Sequence, residues 1–233
     1  MNELRLIPVA GIPEVRPGDR LADLIAAAVT LDDGDVLVVT QKAVSKAEGR
    51  LVPCDGADPA AKAAIVEAES VRVLRRTPGG MVIAETRHGF VCANAGVDFS
   101  NVPDGQAALL PVDADRSARR IRDGLLARAG VRVGVIVSDT FGRPWRRGLT
   151  DVAIGCAGVA AVVDLRGQTD AYGRELRATE VALADELAGA AELVMGKSAG
   201  VPAVVVKGVD PSWLRPSSVR AELVRAPQQD LFR

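Results

Sequence analysis

Seven short runs rich in apolar and β-branched residues, at 4–9, 35–40, 71–75, 81–86, 90–93, 131–137 and 203–207, are separated by unequal gaps, and only some gaps carry helix-period segments. Each run has the length and composition of a strand. The second, DVLVVT (35–40), is introduced by the turn-former DDGD. Helical spacing recurs at Leu21, Leu24, Ile25 and Ala28 behind Asp19, a candidate N-cap, and again over 59–69, 115–128 and 178–194. A regular alternation of strand and helix is missing, so the pattern predicts an α+β or mixed α/β fold rather than a doubly wound sheet. No internal repeat or low-complexity segment interrupts it. From Pro211 the chain turns polar and proline-punctuated (PSWLRPSSVRAELVRAPQQDLFR), and 211–233 reads as an exit helix or linker without a place for a new core.

At 233 residues the chain can bury a real core. Its formal net charge of −1 removes the electrostatic case for a nucleic-acid or anionic-membrane partner, which leaves small-molecule work as the better expectation. Apart from the strand-like runs, the longest apolar stretch is AIGCAGVAAVV (153–163), well short of the roughly 20 residues a span requires. The N-terminus carries charges and prolines where a secretory signal needs an apolar core, so a cytoplasmic protein is expected. Cys54, Cys92 and Cys156 are scattered, without CxxC pairing, and read as buried thiols. Only five basic residues are lysines (42, 46, 62, 197 and 207), so isolated arginines carry little functional weight.

Two segments concentrate polar chemistry. In SDTFGRPWRRG (138–148), Asp139 follows the apolar run VRVGVIV, where a sheet can hold a metal-binding carboxylate at the mouth of an open loop. Alone, Asp139 reads equally as the cap of a turn or short helix. Three guanidinium groups follow, Arg143, Arg146 and Arg147, of the type that forks onto phosphate or carboxylate oxygens. NAGVDFSN (94–101) repeats the pattern after FVCAN: Asp98 and Asn101 offer hard oxygens suited to Mg²⁺ or Mn²⁺, against the plainer reading of an Asx-turn. GIPEVRPGD (11–19) and QKAVSKAEGR (41–50) read as loops, the second bearing Lys42, Ser45 and Lys46, and by composition alone Lys46 reads as an ordinary solvated lysine. Gly196-Lys197-Ser198 mimics the end of a phosphate-binding loop but leaves a helix instead of opening one, and Ala191 stands where that loop needs glycine. His88, the only histidine, has no nucleophile motif beside it and reads as structural.

In order, GIPEVRPGD, TQKAVSKAEGR, NAGVDFSN, SDTFGRPWRRG, AIGCAG and DAYGRELRATEVALADELA resemble the coenzyme F420-0:γ-glutamyl ligase family over about residues 4–210. The resemblance implies a GTP- and metal-dependent ligase that adds L-glutamate to F420-0 by γ-linked amide bonds through an acyl phosphate, on that family's mixed α/β fold and in an intertwined homodimer. It implies a ligase domain over 1–210. Asp98 and Asp139 would hold one divalent ion, Mn²⁺ or Mg²⁺, with Thr140 on a second and K⁺ as a further candidate cofactor. Ile12, Pro13, Glu14, Val15, Gln41, Lys46 and Asn101 would line the GTP site, and Lys46, Arg143 and Arg147, with Arg146, would neutralise charge on the transferred phosphoryl group. Where some relatives carry an acidic ligand of the second ion, this chain has Lys197, and RAPQQDLFR resembles the join to a second, flavin-binding domain found in fused relatives. Two further readings stay open: the same chemistry on another carboxylate acceptor, and a GTP-binding relative of weak catalysis.

Overall fold

The computed structural model describes residues 3–197 and 199–230. In chain order the strands and helices are β1 (Arg5–Pro8), α1 (Leu21–Ala28), β2 (Val36–Thr40), α2 (Gln41–Ala47), β3 (Leu51–Pro53), α3 (Pro59–Glu69), β4 (Ser70–Arg76), β5 (Val82–Thr86), β6 (Val91–Ala93), β7 (Gln106–Ala108), α4 (Ala114–Ala129), β8 (Gly134–Arg143), β9 (Arg146–Ala157), β10 (Val163–Asp164), β11 (Glu180–Val181), α5 (Leu183–Met195), β12 (Ala203–Lys207) and α6 (Val219–Glu222). A five-stranded sheet runs β1-β12-β2-β8-β9. Only β2 and β8 pair in parallel, Val36 opposite Gly134 through Thr40 opposite Ser138, and the other neighbours are antiparallel. The mixed α/β expectation holds.

Both faces of the central strands are buried, which is why β2, β8 and β12 read as unbroken apolar runs. Leu37, Val39, Val135 and Val137 face α1 and α4 through Ile25, Ala118, Ile121 and Leu125. Val36, Val38 and Ile136 face α5 through Leu183, Leu187 and Ala191. A smaller lobe, 51–110, is inserted between α2 and α4 and has its own core of Cys54, Val66, Val82, Ala84, Ala107 and Leu109. It carries the ribbon β3-β7 and the sheet β4-β5-β6.

Four expectations are corrected. Residues 41–47 of the expected loop form α2, because Thr40 at the strand end caps the helix by accepting from the Ala43 N–H. The strand expected over 131–137 begins at Gly134 and runs on through Arg143, so Asp139 lies within β8 rather than in a loop after it; pairing with β9 keeps the strand extended. The helix expected over 178–194 begins at Leu183, since Glu180 and Val181 pair with β10. The C-terminal segment joins a core: Val219 is buried, and Trp213, Leu214, Leu223 and Val224 pack beside it against the α5 side of the sheet. Asp115 anchors it, its buried carboxylate accepting the N–H groups of Cys156, Val219 and Arg220. Residues 231–233 of that segment and Ser198 lie outside the described residues. All three cysteines are buried thiols, and among the described residues no helix is long and apolar enough to cross a membrane.

Helix α4 crosses β9 at Gly155, where a Cβ would stand 2.3 Å from the Ala114 carbonyl carbon and 2.6 Å from the Asp115 nitrogen. Backbone cannot retreat there without breaking the Asp115 bonds. Gly155→Ala should therefore cost about 3 kcal/mol and lower the melting temperature by roughly 6–12 °C. Gly56→Ala, with nothing within 4 Å of the added carbon, should leave it within a degree or two. Equal melting temperatures for the two variants would contradict the close crossing.

Candidate active site

Parallel pairing delivers the carboxyl ends of β2 and β8 to one edge, the position where open α/β sheets bind ligands. A cavity of about 990 Å³ opens there, between the sheet, the lobe and the loop before α1. That volume suits a ligand of nucleotide size or larger. Lys42 and Lys46, four residues apart on α2, both reach it.

The lobe contributes Asp98 through a sharp turn. Asn94, Ala95 and Gly96 are successive residues at φ 50°, 52° and 72°, a left-handed stretch that two non-glycine residues adopt only at some strain. The Asn94 side chain holds the turn by accepting the Val82 N–H at 3.0 Å, and Gly96 has no room for a Cβ against Leu110. Asp98 then exchanges backbone hydrogen bonds with Ala108. Its carboxylate accepts the Ser100 N–H and hydroxyl, each at 2.7 Å, and meets Lys42 Nζ at 2.8 Å. Burial pushes the Asp98 carboxyl up, but Lys42 and Ser100 outweigh it and hold it below the ordinary carboxylate range.

Asp139 is in the opposite state. Burial pushes its carboxyl up to about 7; the Thr140 N–H pulls the other way, and the neighbouring charges of Asp98 and Asp151 add to the rise. Among the described residues no cation forms an ion pair with it. A buried carboxylate so placed beside Asp98 fits a divalent ion, whose charge would restore ionisation, and Ser100, Asn101 and ligand oxygens could complete the coordination. Carboxylates alone do not suffice: among the described residues no group of three or more His, Cys, Asp or Glu converges.

Further along the cavity, Asp151 on β9 lies opposite Thr140 on β8. It is buried and accepts hydroxyls from Ser138 at 3.0 Å and Thr140 at 2.6 Å, and Lys197 Nζ approaches at 3.2 Å. On the other flank, Lys46 bonds Glu14. Gln41 lies on the wall, but its amide protons go to Ser45 and the Leu109 carbonyl. Ile12, Pro13, Glu14, Val15, Gln41, Lys46, Asp98, Asn101, Asp139 and Thr140 therefore all line one cavity. The arginines do not: Arg143, Arg146 and Arg147 lie exposed at the β8–β9 hairpin tip, where Arg143 donates to the Arg147 carbonyl. His88 stacks on Phe90 and bonds the Val112 carbonyl, off the cavity wall.

Sequence reading named Lys42 only as one of the lysines of the 41–50 loop, and singled out neither Asp151 nor Glu192, which also line the cavity. Asp151 had a signal: a hairpin folded at PW places LTDVA against SDTFG and sets an acidic side chain opposite Thr140. A second, smaller hollow of about 420 Å³ between Phe90, Phe141 and the C-terminal segment has, among the described residues, Asp185, Arg225 and Asp230 as its charged groups.

Residues 11–208 match the family described as F420-0:Gamma-glutamyl ligase. Over nearly its whole length the chain is 48% identical to the coenzyme F420:L-glutamate ligase of Methanopyrus kandleri, with 99% of this chain and 98% of that protein aligned. The ligases of the same name from Methanothermobacter thermautotrophicus and Archaeoglobus fulgidus are 43% and 40% identical, each over 99% of this chain and over 99% and 96% of their own lengths.

The state of Asp139 gives a measurable consequence. Its folded value, about 7, lies above its ordinary 3.8, so ionising it costs stability; the cost begins near pH 4, grows as pH rises and is complete above 7. In EDTA, Asp139→Asn should be more stable than the parent at pH 8 by on the order of 2–4 kcal/mol, at about 1.4 kcal/mol per tenfold change in proton affinity. Near pH 4 the advantage should vanish. Urea unfolding at the two pH values reads this directly, and a variant less stable at pH 8 would contradict the buried, unpaired carboxylate.

Proposed function

The chain belongs to the F420-0:gamma-glutamyl ligase family, and on that premise we propose that it adds L-glutamate to coenzyme F420-0 by γ-linked amide bonds, with GTP as phosphoryl donor and Mn²⁺ or Mg²⁺ as cofactor. Convergence carries the reading: Ile12–Val15, Gln41 and Lys46, Asp98 and Asn101, and Asp139 and Thr140 come from four separated stretches and line one cavity.

The chemistry requires two displacements. An acceptor carboxylate oxygen attacks the γ-phosphorus, the bond to GDP breaks, and an acyl phosphate forms. The glutamate amine then attacks the acyl carbon, phosphate leaves with the bonding electrons, and the nitrogen gives up a proton to become an amide. Asp98 and Asp139 would hold the divalent ion, which when bound neutralises charge on phosphate oxygens. Lys42 and Lys46 supply fixed positive charge at the same wall. Each is clamped by a carboxylate, Asp98 and Glu14, that an arriving phosphate can displace as partner. The apolar wall, with Val97, Val102, Phe141 and Val201, keeps water from competing for the acyl phosphate.

A homodimer belongs to the same reading, supported by the hairpin tip, where Trp145 and Leu149 stand largely exposed. Light scattering should return twice the 24.3 kDa chain mass, and a monomer at micromolar concentration would remove this part.

Purified protein incubated with F420-0, glutamate, GTP and Mn²⁺ should yield glutamylated product by mass spectrometry together with GDP. Asp98→Ala and Asp139→Ala should lower the rate by 100-fold or more, given what charge stabilisation contributes to such steps. Absence of product from the parent, or variants as fast as the parent, would sink the proposal; GDP release with a different carboxylate in place of F420-0 would redirect it to that acceptor.

A further inference from the structure

Gly196, at φ 61°, ends α5 and turns the chain so that Lys197 folds back along the helix. Its Nζ lies 2.7 Å from Glu192 Oε1, 2.5 Å from Thr140 Oγ1 and 3.2 Å from Asp151 Oδ1. Two carboxylates and a hydroxyl around one positive charge form the oxygen environment that hard metal ions take. Here an ammonium fills it. The arrangement is built from three elements, β8, β9 and the end of α5, and Asp151 at its centre is buried and tied to the Ser138 and Thr140 hydroxyls.

The expectation that Thr140 holds a second divalent ion does not fit these residues. Its hydroxyl accepts from Lys197 and donates to Asp151, so the position a cation would take beside it already holds the ammonium. An entering dication would meet the ammonium at contact distance and would have to displace it from Asp151 and Glu192 together, whereas at the first site Lys42 pairs with Asp98 alone. Removing the ammonium reverses the balance: Asp151 and Glu192 would then stand unneutralised beside Asp139 on one wall.

We propose that Lys197 is a tethered cation standing in place of a second divalent ion, so that this chain loads one divalent ion per active site, and that losing Lys197 creates a second ion site from Asp151, Glu192 and Thr140. The proposal rests on the reading above only for the first ion, at Asp98 and Asp139. A lysine in this role carries a compact charge on a long stem and cannot dissociate when metal is scarce.

Bound Mn²⁺ is counted by equilibrium dialysis and elemental analysis on the full chain, for the parent, Lys197→Glu and Lys197→Met. One ion in the parent and two in Lys197→Glu is the expected result. None in the parent and one in Lys197→Glu would uphold the tethered cation while removing the first ion from Asp98 and Asp139. Two in the parent, or no gain in either variant, would overturn the proposal. Should Lys197→Glu fail to fold, Lys197→Met is tested in an Asp98→Asn background by melting. Asp98→Asn alone should show no Mn²⁺-dependent rise in melting temperature, and adding Lys197→Met should produce one. A lysine with a merely structural role would leave both variants equally blind to Mn²⁺, which also overturns the proposal.

Discussion

The parallel register of β2 on β8 is the constraint on which the rest of the site depends. With Thr40 opposite Ser138, two strands end their core segments at the same level. From Thr40 the chain turns at once into α2, whose i, i+4 lysines then face the cavity; from Ser138 it continues extended, so Asp139 and Thr140 project where β2 has already left the sheet. A slip by one residue would invert every side chain of β8, turning Val137 to the α5 side and Asp139 to the opposite face. The burial of both faces makes that slip prohibitive, since Val135, Ile136 and Val137 are fully enclosed on alternating sides. Core packing thus fixes the geometry of the polar end.

Charge at that end is arranged in pairs with one exception. Lys42 meets Asp98, Lys46 meets Glu14, and Lys197 meets Asp151 and Glu192. Among the described carboxylates of the wall, Asp139 alone lacks a cationic partner, and burial raises its proton affinity. Its placement lowers stability in the metal-free protein and creates the local demand for a cation. The strained left-handed turn at Asn94 and Ala95 belongs to the same economy of position, since it precedes Asp98 and sets it on the cavity wall within electrostatic reach of Asp139.

Much of this was legible in the sequence, and the misses have physical reasons. The buried strands announced themselves because both faces are covered, leaving continuous apolar runs such as DVLVVT and AVVVK. Helix α3 was visible as a helix-period segment over 59–69, and Asp58 caps it ahead of Pro59 at the first position. Helix α2 was not, because QKAVSKA is short and its apolar face is only Ala43, Val44 and Ala47; tertiary contact and the Thr40 cap make it a helix. Strands β3, β7, β10 and β11 are two or three residues long and exist only through their partners. In the site, Asp98 and Asp139 stood out by residue type. The pairing that adds Asp151 is a long-range property of the hairpin, and the arginines that looked most functional in GRPWRRG are carried away from the cavity by its turn.

Strand β8 passes from core to cavity between Val137 and Ser138 without a loop, whereas the lobe that faces it has a hydrophobic core of its own. Variation is therefore partitioned across the cavity. Substitutions along β8 or β9 disturb the packing that folds the molecule, so that wall is frozen by selection for stability as much as for chemistry. The lobe behind the opposite wall can drift in length and shape while the central sheet stays intact, provided the turn at Asn94–Gly96 still delivers Asp98 and Asn101 to the cavity. Descendants of such a chain would keep Asp139 on the sheet and Asp98 at the lobe's edge, and diversify the molecule they extend through the rest of the lobe.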